Sequence, residues 1–386
     1  MTIERSTLMT KFPKAIFGDL KRAAHKKASE GVALVDLSLG SPDLPPAELV
    51  RNELSKQAAL ADSYGYTLGG TDKFNEAVAN YYKRRSHVTL DPQTEIIQTM
   101  GSQEGLVHLP MALCNKGDVV LTTDPGYVAY EAGINMAQAE AYYMALTPEN
   151  DFLPDFNAIP EDICKRAKLL ILNLPGNPVP AMPSISFFDK AIQFAKKHDI
   201  IILHDAAYSE FYFEGDRPIS FLEADGAMDL GIEINSLSKS FSLAGARIAY
   251  IAGNAELVQI IGELKSNLDY GTFRPIQDAA CVALDNAEEI TESLREVFSK
   301  RHHLLSNGLK EIGWDVVPSS GGMFVYAKYP QQQFNDIDFV YHVIEKMGVV
   351  MVPGSIFGQS GKNYVRIALV QPEELIQEAL NRLATL

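Results

Sequence analysis

Short, continuous apolar runs recur along the middle of the chain, each stopping at a polar or Gly/Pro-rich turn. They are DVVLTT (118–123), AKLLILNL (167–174), DIIILHD (199–205), IEINSL (232–237) and IAYIAG (248–253). Runs of this kind suit strands covered on both faces, hence a largely parallel sheet with helices on either side. Between two of them, residues 184–199 place Phe187, Phe188, Ile192 and Ala195 on one face, the pattern of an amphipathic crossover helix. The alternation reads as α/β rather than all-α or sandwich.

From about Asn286 the texture changes. Residues 286–312 read as one long charged helix ending near Gly313, followed by strand-like WDVVPS, GMFVYAKY, VVMVPG and NYVRIALV and a closing helix. That is an α+β pattern. The expected organisation is a large domain over 46–285 and a smaller one over 286–386. Residues 1–45 carry their own strand, ALVDLSLG, ahead of the sheet and are expected to pack with the smaller domain.

Composition changes the picture only by exclusion. At 386 residues, 46% of them hydrophobic, the chain exceeds what one core usually serves. A formal net charge of −15 argues against nucleic-acid binding, which needs clustered Lys and Arg. Cys114, Cys164 and Cys281 are far apart and fit no metal-ligand spacing. So sparse and odd a count suits a reducing cytoplasm. The N-terminus lacks a signal-peptide pattern, and no stretch approaches the length of a membrane span. The expectation is a cytoplasmic globular protein without a metal.

In doubly wound sheets, ligands bind outside the carboxyl ends of the strands. Here those ends carry Asp124-Pro125-Gly126-Tyr127, Pro175-Gly176-Asn177-Pro178, Asp205-Ala206-Ala207-Tyr208 and Ser236-Leu237-Ser238-Lys239. One lysine, one carboxylate, one amide and two phenols are thereby expected on a single rim. Gly101-Ser102-Gln103-Glu104-Gly105 opens a helical pattern running to Leu113. Its free N–H groups suit a phosphate, although an ordinary capped helix has the same appearance. Pro110 inside the pattern is expected to kink or shorten that helix.

The run Ser236-Leu237-Ser238-Lys239-Ser240…Gly245-Ala246-Arg247 resembles the S-x-S-K…G-x-R signature of class I aminotransferases, within the fold-type I pyridoxal-phosphate enzymes. LSLGSPD (37–43), YGYTLGG, DPGY, NP, DAAY and NYVRIAL follow in the family's order, so the resemblance covers essentially the whole chain. FPKAIFGDL, GSQEGLVHLP, HDAAYSE and GIEINSLSKS look most like bacterial LL-diaminopimelate, aspartate and methionine-type aminotransferases.

The resemblance implies pyridoxal 5′-phosphate as cofactor, held by Lys239 as a Schiff base, with the Lys239 amine carrying the proton at the substrate α-carbon. It implies that Asp205 pairs with the pyridinium nitrogen and that Tyr208 and Asn177 hydrogen-bond the ring's 3-oxygen. Tyr127 matches the aromatic that stacks on the ring, though alone it reads equally well as a turn tyrosine. The phosphate falls to the Ser102 and Gln103 backbone, Ser236, Ser238 and Arg247. Tyr66 resembles the tyrosine that reaches the phosphate of a neighbouring subunit, which implies a homodimer with shared active sites. Arg366 and Gly40 match the groups that hold the substrate α-carboxylate. An arginine on the apolar strand YVRIALV is costly unless paired, by that carboxylate or by a structural salt bridge. Phe12 or Phe17 matches the family's aromatic cover. The implied activity moves an amino group from an L-amino acid to a 2-oxo acid by a ping-pong mechanism.

Departures cluster at Val179-Pro180, Ala246, Ala249 and Tyr270, and are expected beside the substrate side chain. No second committed arginine is legible. Arg274 is the nearest candidate for a distal carboxylate, and an exposed helix-end arginine is the plainer reading of it. A C–S β-lyase on the same fold, or a catalytically altered member with a regulatory role, are the alternatives the motifs leave open.

Overall fold

The computed structural model describes residues 3–12, 16–215 and 217–386. A short strand β1 (Val35–Asp36) precedes β2 (Ile96–Thr99), β3 (Val119–Asp124), β4 (Glu140–Ala145) and β5 (Ala167–Leu172). Then come β6 (Ile201–Asp205), β7 (Gly231–Ser236) and β8 (Ala249–Gly253). Strands β2 to β8 form one seven-stranded sheet in the order β2-β8-β7-β6-β5-β3-β4. Pairings among β3 to β7 are parallel, whereas β8 runs antiparallel to both its neighbours. The link from β7 to β8 holds only the helix Leu237–Ser240 and the turn Ala244–Ala246, with no full crossover helix to return the chain.

Both faces of this sheet are covered, which is why most of its central strands are apolar on both faces. In β5, Leu169 and Ile171 pack with Leu106, Leu109 and Ile261 from helices on one face. Leu170 and Leu172 pack with Phe74, Phe188 and Ala280 from helices on the other. The helix Ile185–His198 buries Phe187, Phe188, Ala191, Ile192 and Ala195, and the Ser184 hydroxyl caps its first turn. Strands β2 and β4 escaped the apolar pattern. The first is only four residues long, and the second is an edge strand with Glu140 and Tyr143 exposed.

The helix Ser102–Leu113 keeps its full expected length, so Pro110 does not shorten it. The proline falls in its last turn, where one missing N–H interrupts little, and its carbonyl still accepts the Cys114 N–H at 2.9 Å.

A second sheet has the order β12-β13-β10-β9, built from β9 (Asp315–Val316), β10 (Phe324–Lys328), β12 (Val352–Pro353) and β13 (Tyr364–Ala368). Strand β11 (Val349–Val350) pairs in parallel with β1. The segment ALVDLSLG makes only this two-residue strand, because the Asp36 carboxylate takes the Ser38 N–H at 2.9 Å and its hydroxyl at 2.6 Å, turning the chain. Leu20, Ala24, Val35 and Leu37 share a core with Phe298, Trp314, Phe324, Ile367 and Leu380. The helix Ala287–Glu311 spans both cores, with Ile290 in one and Leu294, Phe298 and Leu305 in the other. Among the described residues no helix is long and apolar enough to cross a membrane.

Candidate active site

A cavity of about 940 Å³ opens at the carboxyl ends of the sheet strands. Lys239, Asp205, Asn177, Tyr208 and Tyr127 reach it from strand ends, and Arg366 reaches it from β13. Gly40, Ser102 and Gln103 complete that group, and Phe12 also lines the cavity. The side chain of Phe17 lies outside the described residues. Strand β3 ends at Asp124, whose carboxylate turns away to accept the Ser360 N–H at 3.1 and 3.2 Å and its hydroxyl at 3.1 Å.

Three charges face the cavity without a partner of opposite sign. Asp205 is buried, and its carboxylate accepts the Tyr130 hydroxyl at 2.9 Å and the Ala207 N–H at 3.4 Å. Burial pushes its pKa up, opposed by Tyr130, the charge of His204, the Ala207 N–H and Lys239. Arg366 is also buried; it donates to Asn177 Oδ1 at 2.9 Å and to the Ser38 carbonyl at 2.6 Å, and among the described residues its Nε has no partner. Phe324 lies 4.4 Å beneath its guanidinium. Burial lowers its pKa to about 10. Lys239 donates to the Gly40 carbonyl. Burial and then the charges of Arg366 and Arg247 lower its pKa to about 8, against the opposing pull of Asp205. Among the described residues, Asp205, Lys239 and Arg366 form no salt bridge with a side chain.

The expected phosphate end is assembled more loosely. Gly101 holds φ at 82°, and a Cβ there would run into the Arg247 guanidinium. Only glycine therefore lets the start of helix Ser102–Leu113 lie against that arginine. Arg247 itself sits at φ 54° and gives one N–H to the Ala244 carbonyl at 2.9 Å. The Ser236 hydroxyl caps its own helix by accepting the Ser238 N–H at 3.2 Å, and both serines are buried behind the cavity wall.

The fold brings in two residues that no motif singles out. Tyr130 holds the Asp205 carboxylate, and its position inside the helix Tyr130–Met136 carries no signature. Asn173 donates to the Asp205 carbonyl at 2.7 Å and accepts the Asn177 N–H at 2.9 Å. It sits one residue beyond β5, at a strand end like the other residues of the rim.

Other residues lie elsewhere than expected. Val179, Pro180, Ala246, Ala249 and Tyr270 do not line the cavity. Val179 is 2% exposed in the large core and Ala249 is buried in β8, so neither faces a substrate. Tyr270 is 58% exposed, with its ring 5.0 Å from that of Tyr66, which is 84% exposed and also outside the cavity. Arg274 opens the helix Arg274–Asp285 and pairs with Asp278 at 3.6 Å. The three cysteines are buried and free.

This donor set fits pyridoxal phosphate. A buried carboxylate without a counter-cation suits a protonated ring nitrogen, and a lysine with a depressed pKa suits a carbonyl partner. The orphaned Arg366 Nε suits a carboxylate. The glycine-shaped contact between Gly101 and Arg247, at a helix N-terminus, suits a phosphate.

A family model described as aminotransferase class I and II matches residues 32–383. The chain is 38% identical over 382 residues to LL-diaminopimelate aminotransferase of Halothermothrix orenii, covering 99% of this chain and 98% of that protein. Among solved structures it is similar to substrate-bound BacF from Bacillus subtilis, with a TM-score of 0.94 and 36% identity, covering 100% of this chain and 98% of that one. It is also similar to a probable N-succinyldiaminopimelate aminotransferase from Thermus thermophilus, with a TM-score of 0.92 and 33% identity over 96% of this chain and 100% of that one. The rim at the strand ends therefore belongs to a pyridoxal-phosphate-dependent transaminase of the fold-type I architecture, and the chain is a member of the class I and II aminotransferase family.

Proposed function

We propose that this transaminase acts on LL-diaminopimelate, exchanging its amino group with a 2-oxo acid, and that the residues gathered at the cavity take the following roles. The observation that carries the reading is the pair of unmatched buried charges, Asp205 and Arg366, with Lys239 coupled in charge to both. When bound, pyridoxal phosphate supplies an electron sink for the bonds at the substrate α-carbon. Asp205 holds the ring nitrogen and keeps it protonated. Tyr208 and Asn177 hold the ring's 3-oxygen, and Tyr127 covers one face. Ser102, Gln103, Ser236, Ser238 and Arg247 surround the phosphate. Arg366 and the Gly40 backbone orient the α-carboxylate, and Lys239 accepts and returns the α-proton.

The substrate assignment is supported by the likeness to the LL-diaminopimelate aminotransferase of Halothermothrix orenii. It is also supported by Lys21, His25, Glu131 and Asn135, which line the same cavity as Arg366. Those groups suit a substrate with an ammonium and a carboxylate at its far end. The exposed rings of Tyr64, Tyr66, Tyr270 and Phe273 support a homodimer in which Tyr66 reaches the partner's phosphate. The shared core of Leu20, Val35 and Phe298 supports the division into 46–285 and 286–386 with 1–45. Three free buried cysteines and the acidic composition support a cytoplasmic enzyme.

The test is the half-reaction. Mixing holoenzyme with LL-diaminopimelate should bleach the cofactor absorbance faster than L-aspartate or L-methionine does, and a 2-oxo acid should restore it. A cofactor that responds to other amino acids but not to LL-diaminopimelate rejects the substrate. Pyruvate released from cystathionine without any 2-oxo acid would instead indicate the lyase.

A further inference from the structure

One residue before Asp205 stands His204, 2% exposed and outside the cavity. Side chains of successive strand residues point to opposite faces, so its ring lies behind the sheet from the site. There it packs against the Phe188 ring, with centroids 5.1 Å apart. Its Nε2 is 3.0 Å from the Leu174 carbonyl and its Nδ1 is 3.1 Å from Glu233 Oε2. A backbone carbonyl only accepts, so Nε2 donates.

Glu233 is the cross-strand partner of His204 in the parallel register of β6 and β7. Its carboxylate also receives the Tyr82 hydroxyl at 2.6 Å, the Ser220 hydroxyl at 2.8 Å and the Phe221 N–H at 3.0 Å. Burial pushes the Glu233 carboxyl up. The hydrogen bond and charge of His204, with the Tyr82 and Ser220 hydroxyls, outweigh this and hold it below the usual range. An ionised carboxylate only accepts, so Nδ1 donates as well. With a hydrogen on each nitrogen, the ring donates to the Leu174 carbonyl just beyond β5 and to Glu233 in the middle of β7, and is positively charged.

The Leu174 anchor and the backbone of His204 both lead back to the site. Leu174 lies between Asn173, which holds the Asp205 carbonyl, and the loop carrying Asn177. His204 is joined to Asp205 by one peptide bond, and its charge works against the burial that raises the Asp205 pKa.

We infer that His204 is a positioning residue: a buried, doubly donating ring that ties β5, β6 and β7 together and sets a positive charge behind Asp205. It thereby keeps Asp205 ionised towards the cofactor ring nitrogen. The inference rests on the proposed role of Asp205.

Two measurements test it. In holoenzyme labelled with ¹⁵N-histidine, one of the eight histidines should carry hydrogens on both nitrogens, each hydrogen-bonded, and its signals should vanish in His204→Gln. If the wild type shows no such histidine, the inference is overturned without any variant. The second is a double-mutant cycle on the dissociation constant of pyridoxal phosphate. His204→Gln alone should weaken binding about 10-fold, within the range for coupled neighbours. In an Asp205→Asn background it should add less than about 2-fold, since the charge it supports is gone. A merely structural histidine would weaken both backgrounds equally, which overturns the inference. If Asp205→Asn leaves the dissociation constant unchanged, the reading of Asp205 itself fails, and this inference with it.

Discussion

Lys239 shows how much of the chemistry resides in single side chains and how little of its tuning does. A lysine titrates near 10.4 in water, and here burial with Arg366 and Arg247 brings it to about 8. The sign follows directly: below that pH the amine is protonated and inert, and above it the free amine can react. In cofactor-free protein, modification of Lys239 by an amine reagent, read by peptide mass spectrometry, should rise with a midpoint near pH 8. Arg366→Leu removes a repelling cation and should move the midpoint up. Asp205→Asn removes an attracting anion and should move it down. The same Arg366→Leu variant should lose about 2–5 kcal/mol in kcat/KM, as expected for a buried charge deprived of its role, while still binding cofactor. A loss confined to cofactor binding would place Arg366 elsewhere in the cycle. Residue types at strand ends were legible because this chemistry needs an amine, a carboxylate and a guanidinium. Tyr130 was not, since nothing in its neighbourhood along the chain indicates that its hydroxyl meets Asp205.

Elements place these residues, and their termini matter more than their middles. The helix Ser102–Leu113 starts from Gly101 at φ 82°, beside Arg247. Gly101→Ala puts a side chain at φ 82° and ψ 159°, a region essentially only glycine occupies, at a cost of about 1–3 kcal/mol, and drives a methyl into the guanidinium. It should weaken pyridoxal phosphate at least about 10-fold, the equivalent of about 1.4 kcal/mol, measured by titrating cofactor-free protein. Unchanged affinity would separate this helix end from the phosphate. At a second junction, Arg301 in the helix Ala287–Glu311 grips Asp43 at 2.7 and 2.9 Å and the Leu369 carbonyl at 3.0 Å. This fixes the turn just after Gly40. Arg301→Ala should lower thermal stability and raise KM for amino donors, because the Gly40 backbone loses its anchor; an unchanged KM would limit the pair to stability. The central strands were legible from unbroken apolar runs. The edge strand β4 was not, because half of its residues face solvent and blur the signal.

On the scale of the whole molecule, one residue proposed for the site lies outside its cavity. Tyr66 projects at 84% exposure, with Tyr270 against it and the Tyr64–Phe273 ring pair nearby. Sedimentation should give a mass twice that of the chain. Tyr66→Ala should weaken cofactor binding, and Lys239→Ala should abolish transamination. Mixed and allowed to exchange subunits at a cofactor concentration too low to saturate Tyr66→Ala, the two proteins should show more activity than either alone, because one site of each hybrid then has an intact Lys239 and an intact Tyr66. Failure to show it, with exchange demonstrated, would deny that sites are shared.

The sequence by itself determined the class of chemistry, the parallel core and the order of the elements, because each depends on local periodicity or on residues a few positions apart. Only the tertiary structure decided where charge goes unpaired. That Asp205 and Arg366 lack counter-ions, that Asp124 is consumed by Ser360, and that Val179 and Ala249 face the core rather than the cavity all depend on contacts between residues distant in the chain. Burial and Coulomb energies are set by such contacts, and no pattern along a single strand of text encodes them.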